Sequence, residues 1–313
     1  MGSETRGSAR LVGMSRPLLR RDLLRRGVTD DDVRRALRSR EWLPLRPGAY
    51  LDHDDPLWRD AAGRHGALVA ATLPLLAPGA VVCGVSAAVR HGLPVGGVDL
   101  QVVHVVRDRT SGGRRSRRLQ VHTGPVRACD TVLVDGLATT SVARTVVDVA
   151  RSAPFDTAVT VADAALHRGL VTPADLAGTL RTAAGRHGIG RARAVVAFAD
   201  GRADGPGESR SRVLMDALGV PAPVLQHRID DAGGRHIGTV DFWWPEAGLV
   251  GEFDGMEKYG RWLRPGETPG DALRREKVRE DALRAQPCVR GVVRWTWPDL
   301  TDFAPVAARL PRP

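Results

Sequence analysis

Val240-Asp241-Phe242-Trp243-Trp244, followed by Leu249-Val250-Gly251-Glu252-Phe253-Asp254-Gly255, is the stretch on which the reading of this chain turns. Both are apolar runs of strand length, bounded by turn residues. Asp241 sits inside the first. Glu252 and Asp254 are two apart on the second, so they project from one face. If the two strands pair, three carboxylates converge at one end of a sheet. Such a concentration of negative charge is costly in apolar surroundings unless something neutralises it. Hard cations such as Mg2+ do so through carboxylate oxygens, and a bound Mg2+ acidifies a water and offsets charge on an attacked phosphate. Asp241, Glu252 and Asp254 are therefore candidate ligands for Mg2+ or Mn2+, with Glu208, at the start of the preceding helix, as a fourth oxygen donor. Read singly, each has a plainer role. Asp254-Gly255 is a common turn dipeptide, Glu208 complements a helix N-terminus, and Asp241 could pair with an arginine.

Around this stretch the pattern alternates. A helix over 209–218 is stopped by Gly219, and strands are expected over 224–229, 237–244 and 249–253. A strongly charged helix over 271–286 and a strand over 291–297 follow. Upstream, Asp200–Gly207 (DGRADGPG) reads as a linker and sets residues 201–313 apart. Residues 53–200 read as a mixed α/β middle domain. In it, strands near 99–106 and 119–123 flank a basic loop, Arg107–Arg118, and helices are expected over 57–76, 141–150, 155–168, 173–184 and 192–199.

Residues 16–52 form a third pattern. Leu18, Leu19, Leu23 and Leu24 recur at helical spacing, and Gly27 ends that helix. Thr29 is a good N-cap, followed by Asp30, Asp31 and Asp32, which suit a helix N-terminus. The second helix, with Val33, Ala36 and Leu37 inward, runs to about Arg40. Trp42, Leu43, Leu45, a Pro47-Gly48 turn and Ala49-Tyr50-Leu51 then make a hairpin. Helix, turn, helix and hairpin give a winged-helix outline. Arg34, Arg35, Arg38 and Arg40 on the second helix and Arg46 in the wing are candidate DNA contacts, because arginine pairs with phosphate and reads guanine edges. The plainer reading is a solvated basic face. Residues 1–15, polar and rich in Gly, Ser and Arg, are expected to be disordered.

The 313 residues carry a formal charge of +10, which favours an anionic partner such as nucleic acid. Part of that basicity reflects an arginine-rich, lysine-poor composition. The charge is uneven, with 17 basic and 17 acidic residues in 201–313 against 29 and 19 in 1–200. Three well-separated cysteines, Cys83, Cys129 and Cys288, argue against a disulfide framework or zinc knuckle. The most apolar run, Leu68–Val89, is broken by Pro74, Pro78, Gly79 and Gly84, so no membrane span is expected and a reducing cytoplasm is the expected setting.

Glu208, Asp241, Glu252 and Asp254-Gly255, then Lys258, Arg279-Glu280-Asp281 and Val293-Arg294-Trp295, resemble the PD-(D/E)XK nuclease superfamily and its very-short-patch-repair-like branch over roughly residues 206–300. The resemblance implies a restriction-endonuclease-like α/β/α domain and a Mg2+-dependent DNA endonuclease. In it, Glu208, Asp241, Glu252, Asp254 and Lys258 would be catalytic. One departure matters: the superfamily's usual lysine position is Asp254 here. The chain has only two lysines, Lys258 and Lys277, and Lys258 could stand in for the missing one. Residues 16–200 resemble the AbiEi-type antitoxin architecture, a winged-helix head followed by an α/β domain. Leu18–Tyr50, Ser86–Leu93 and Thr140–Asp148 carry that resemblance. It implies sequence-specific DNA binding and allows a toxin partner. The expected fold is thus α+β and α/β: winged helix-turn-helix, mixed α/β middle domain and nuclease-like domain. The alternative function is an AbiEi-like repressor or antitoxin whose nuclease-type domain is inactive.

Overall fold

Thr29 caps its helix as its side chain predicts, accepting from the Asp32 N–H while Asp32 accepts from the Thr29 N–H. The computed structural model describes residues 17–255 and 268–312, so residues 1–15 and Lys258 lie outside the described residues. The helices α1 (Arg20–Arg25) and α2 (Asp30–Arg38) are separated by Gly27, whose φ of +84° few other residues would adopt. Strands β2 (Trp42–Arg46) and β3 (Ala49–Asp52) form the hairpin. Leu18 and Leu19 do not belong to the first helix. They form β1 (Leu18–Leu19), paired with Tyr50 and Ala49, which gives a sheet in the order β1-β3-β2. Strand pairing overrides the helical spacing, because it lets Leu18 pack against the buried Leu23, Val33 and Tyr50.

The chain divides into two compact units, residues 1–145 and 146–313, with the division inside α5 (Val142–Ser152). The head is part of the first unit. Leu45 and Leu51, on the strands of the hairpin, are buried against Ala67 of α3 (Ala61–Thr72), with Leu57 and Trp58 alongside. Beyond the head lie β4 (Ala80–Val82), α4 (Gly84–Arg90), β5 (Val103–Arg107), β6 (Arg114–Arg115), β7 (Leu119–Thr123), β8 (Thr131–Val134) and β9 (Leu137–Thr140). They build a mixed sheet in the order β6-β7-β5-β4-β9-β8. Its buried face carries Val82, Val103, Val105 and Val121 under Leu68 and Val69 of α3.

In the second unit the end of α5 is followed by α6 (Phe155–His167), α7 (Pro173–Thr182), α8 (Ile189–Phe198) and α9 (Pro206–Ala217). A four-stranded sheet follows, made of β10 (Val224–Asp230), β11 (His236–Trp244), β12 (Leu249–Asp254) and β13 (Gly291–Thr296), in that spatial order. Neighbours are antiparallel except β12 and β13, which run parallel. The helix α10 (Pro269–Arg284) connects that parallel pair. Alternation sorts the strand side chains. Phe242, Trp244, Phe253 and Trp295 pack with Met215 of α9, and Trp243 and Val250 pack with Leu283 of α10. The fold is mixed α and β, and no described helix is long and apolar enough to cross a membrane.

α9 lies so close to the sheet that a Cβ on Gly207 would stand 1.9 Å from the Phe253 ring. Gly207→Ala should therefore destabilise the second unit by about 1–3 kcal/mol or more. Gly190→Ala, at an exposed position of α8 with open space around it, should be neutral or slightly stabilising. Differential scanning calorimetry of the two variants separates the effects, and equal melting for both would refute the close seat of α9.

Candidate functional site

Antiparallel pairing of β11 with β12 ends at Phe242 and Gly251. Beyond that point β11 stays with β10 and β12 stays with β13. Asp241 is the first residue of β11 past the parting. Its Oδ2 accepts the Phe253 N–H at 2.9 Å, a bond that a partner strand would otherwise make. Glu208, three residues into α9, comes to the same place. It is buried, and its Oε2 accepts from the Asp204 N–H at 3.0 Å and from Gln226 Nε2 at 3.0 Å. The same Gln226 nitrogen is 3.4 Å from Asp241 Oδ1, so one amide faces both carboxylates. Gln226 holds this position with a left-handed φ of +49° inside β10, a strained conformation for a residue with a side chain. Burial, reinforced by the nearby negative Asp241, pushes the Glu208 carboxyl up to about 8.

Glu252 meets the opposite electrostatics. It is buried and accepts from Arg279 Nη2 at 2.9 and 3.0 Å and from Arg294 Nη2 at 2.7 Å. Arg294 is its register partner on β13, and Arg279 comes from α10. Glu276 bonds both arginines, which hold its carboxyl down at about 2. Asp254, on the face of Glu252 as the strand period requires, lies 3.8 Å from Arg294 Nε. The structure thus brings Glu208 to Asp241, and Glu252 and Asp254 to Arg294. Among the described residues no three His, Cys, Asp or Glu side chains are grouped to hold one metal ion. Glu208 and Asp241 are facing carboxylates of the kind that could receive a cation, and the proton affinity of Glu208 is raised.

In the first unit, α2 presents its arginines to solvent. Arg34 pairs with Asp31 at 2.5 Å, and Arg35 with Asp32 at 3.0 Å. Arg38 and Arg40 make no side-chain hydrogen bond or ion pair among the described residues, but the helix stops at Arg38, with Ser39 as its C-cap, so Arg40, expected on it, lies in the turn beyond with φ +60°. Arg46 differs from the rest. It is half-buried, and its Nη1 donates to Thr72 Oγ1 of α3 at 3.1 Å. That bond ties the β2–β3 hairpin to α3.

Three contributors escaped sequence reasoning as site residues. Gln226 carried no signal of its own, since its role depends on a left-handed backbone and on lying opposite Asp241. Arg279 and Arg294 stood in the quoted motifs, but their pairing with Glu252 follows only from the parallel register of β12 and β13.

No family model matches the chain. Two uncharacterised proteins of Mycobacterium tuberculosis, one from strain CDC 1551 and one from strain H37Rv, are each 35% identical to it over 161 residues, 51% of this chain. The match spans 58% of the length of each of these relatives. A Mycobacterium tuberculosis protein of known crystal structure superposes with a TM-score of 0.38 and 16% identity, over 69% of this chain and 84% of that one.

Proposed function

We propose that this chain binds duplex DNA through α2 and its adjoining hairpin. We propose also that it cleaves a phosphodiester, with a divalent cation, at the Glu208–Asp241 pair. The observation that carries the enzymatic reading is the carboxyl of Glu208, buried against a second carboxylate at the parting of two strands and pushed up to about 8. Such a pair suits Mg2+ or Mn2+, which would supply a Lewis acid for the phosphate and a more acidic water. The chain's own part is positional. Gln226 orients both carboxylates, the Phe253 N–H fixes one oxygen of Asp241, and α9 holds Glu208 out of water. Asp254, at the end of β12, is the further acid of the motif, and Lys258 would offset negative charge developing on the phosphate. The DNA-binding reading is supported by the order β1-α1-α2-β2-β3 with β1-β3-β2 pairing, which suits a winged helix, and by the exposed arginines of α2.

One observation favours a second reading, a DNA-binding repressor or antitoxin with an inactive nuclease-type domain and a toxin protein as partner. Glu252 is already neutralised by Arg279 and Arg294, without a cation.

Three measurements test these readings. For DNA binding, anisotropy with the full chain should show affinity falling steeply with salt. Arg34→Ala, Arg35→Ala and Arg38→Ala should each weaken binding, by about 1–3 kcal/mol where the arginine makes a bidentate base contact. Arg46→Ala should instead lower the melting temperature, because it removes the bond to Thr72. Unchanged affinity in all three α2 variants would rule out α2 as the reading helix.

The second measurement concerns the proton on Glu208. Its folded value, about 8, lies above the ordinary 4.5, so the folded state holds this proton longer than the unfolded chain. This group's contribution to stability therefore falls as pH rises from about 4.5 to about 8. Glu208→Gln removes the titration while keeping shape and hydrogen-bonding capacity. The variant should match wild type near the low end of that window and exceed it above the high end, by a difference on the order of a few kcal/mol. Parallel denaturation profiles across the window would show that Glu208 titrates normally.

The third measurement concerns the cation, which must displace the same proton. The rise in melting temperature with Mn2+ should grow between pH 6 and pH 8, the range below the raised value of about 8, and should vanish in Asp241→Asn. Plasmid nicking should vanish in that variant too, while DNA binding persists. Nicking that is equal in wild type and variant would be contamination and would remove the enzymatic reading.

A further inference from the structure

Residues 107–118 hold six arginines, Arg107, Arg109, Arg114, Arg115, Arg117 and Arg118, against one acid, Asp108. The segment is a built hairpin rather than a loose loop. β6 pairs antiparallel with β7, Arg114 opposite Val121 and Arg115 opposite Gln120. Gly113 permits the approach, since a Cβ there would stand 3.3 Å from the Val121 carbonyl oxygen. Both roots are fastened. Arg107 Nη2 donates to the Ala77 carbonyl at 2.5 Å, and Arg118 Nη1 donates to the carbonyl of Leu45 on β2. The second bond fixes the hairpin against the wing strand, within the same compact unit. The four arginines between the roots are exposed, and among the described residues they make no ion pair or side-chain hydrogen bond. On α2, by contrast, Arg34 and Arg35 are each matched by an aspartate, and Arg38 alone is not.

We infer that the arginine hairpin of residues 107–118 is a second DNA-contacting element, which grips backbone phosphates beside the segment read by α2. The inference rests on the proposed DNA binding and adds a surface to it. Unmatched guanidinium groups on a rigid, planted strand suit an anionic rod. Each phosphate neutralised adds affinity by releasing counterions, without reading sequence. β6 is only two residues long and its side chains alternate, so Arg114 and Arg115 point to opposite faces. They would therefore reach different phosphates rather than share one. A charged edge strand also guards against edge-to-edge pairing, but that role makes no demand on DNA affinity.

The test measures binding of the full chain to a mixed-sequence duplex by fluorescence anisotropy across a salt series. The proteins are wild type, a variant with Arg109→Ala, Arg114→Ala, Arg115→Ala and Arg117→Ala together, and the same four positions changed to Lys. The alanine variant should bind about ten- to a hundred-fold more weakly at low salt. Its log–log salt slope should be shallower by about two to four, at about 0.9 for each phosphate left unneutralised. The lysine variant, which keeps the charge and guards against misfolding of the first, should retain most of the wild-type slope. If the alanine variant keeps wild-type affinity and slope, the hairpin does not touch DNA, while binding through α2 stands. If the lysine variant falls as far as the alanine variant, the role is not one of charge, and the inference fails. If wild type shows no salt-sensitive binding, the DNA-binding reading falls and takes this inference with it.

Discussion

Where β11 leaves β12, the Asp241 carboxylate accepts the Phe253 N–H. A backbone donor and a half-buried carboxylate satisfy each other, since either left alone would be costly. What surrounds the parting follows from keeping Asp241 there. Glu208 must reach it from α9, so α9 must lie low on the sheet, and Gly207 against the Phe253 ring allows that. The first turn of α9 is clamped from below. Fully buried Asp163 of α6 accepts from Ser209 Oγ at 2.8 Å, Arg212 Nη1 at 2.8 Å and the Asp200 N–H at 2.7 Å. Ser209 is the immediate neighbour of Glu208. The strained Gln226 completes the set by presenting one amide to both acids. A strained residue and a tightly seated glycine beside two like charges are local costs, repeated around one point and offset by the packing elsewhere.

The same sheet carries two carboxylate sets in opposite fields. Around Glu276, arginines outweigh burial, and its carboxyl is held at about 2. Around Glu208, burial and a like charge dominate, and the carboxyl rises to about 8. The difference lies in which element each strand faces. β12 runs parallel to β13, so Glu252 lies beside Arg294, and α10, which closes that crossover, brings Arg279 and Glu276 over it. Breaking such a buried pair is strongly destabilising, because it leaves an uncompensated charge. Glu252 and its arginines thus lock β12, β13 and α10 together, and the raised proton affinity falls to Glu208, beside Asp241.

The strands of the second unit were legible because they are apolar runs of strand length bounded by turn residues, Asp254-Gly255 among them. α2 was legible from Thr29 and the three aspartates that follow it. Leu18 and Leu19 misled, because a short strand paired to β3 has the same local spacing as a helix start. The linker at 200–207 also misled as a boundary. Asp200 and Glu208 are tied into the second unit through Asp163 and Asp204, and that unit begins at Val146. At the site, the acids themselves were legible as a set. Their partition was not, because spacing puts Glu252 and Asp254 on one face but says nothing of which cation meets that face. Arg46 shows the same limit: a basic residue in a hairpin reads as a DNA contact until its bond to Thr72 is seen.

On the proposed reading, the acids of α2 pose a problem that the arginine hairpin answers. Asp30, Asp31 and Asp32 give the helix its cap and complement its dipole, but they also carry negative charge on the surface offered to DNA. Their pairs with Arg20, Arg34 and Arg35 are exposed, and such pairs are worth about 0–1 kcal/mol each, so the arginines can exchange an aspartate for a phosphate at little cost. The aspartates freed by that exchange remain, and phosphate repels them wherever the protein docks. Sequence-independent attraction through α2 is therefore weak by construction. Base contacts must then decide where α2 settles. Beyond Arg38, the attraction that α2 lacks would have to come from arginines that are not paired with an acid. Arg109, Arg114, Arg115 and Arg117 meet that condition, on a hairpin bonded to the carbonyl of Leu45 one residue from Arg46. Dividing discrimination and attraction between two elements of one compact unit lets the aspartates keep their structural role at the helix start without forfeiting DNA affinity.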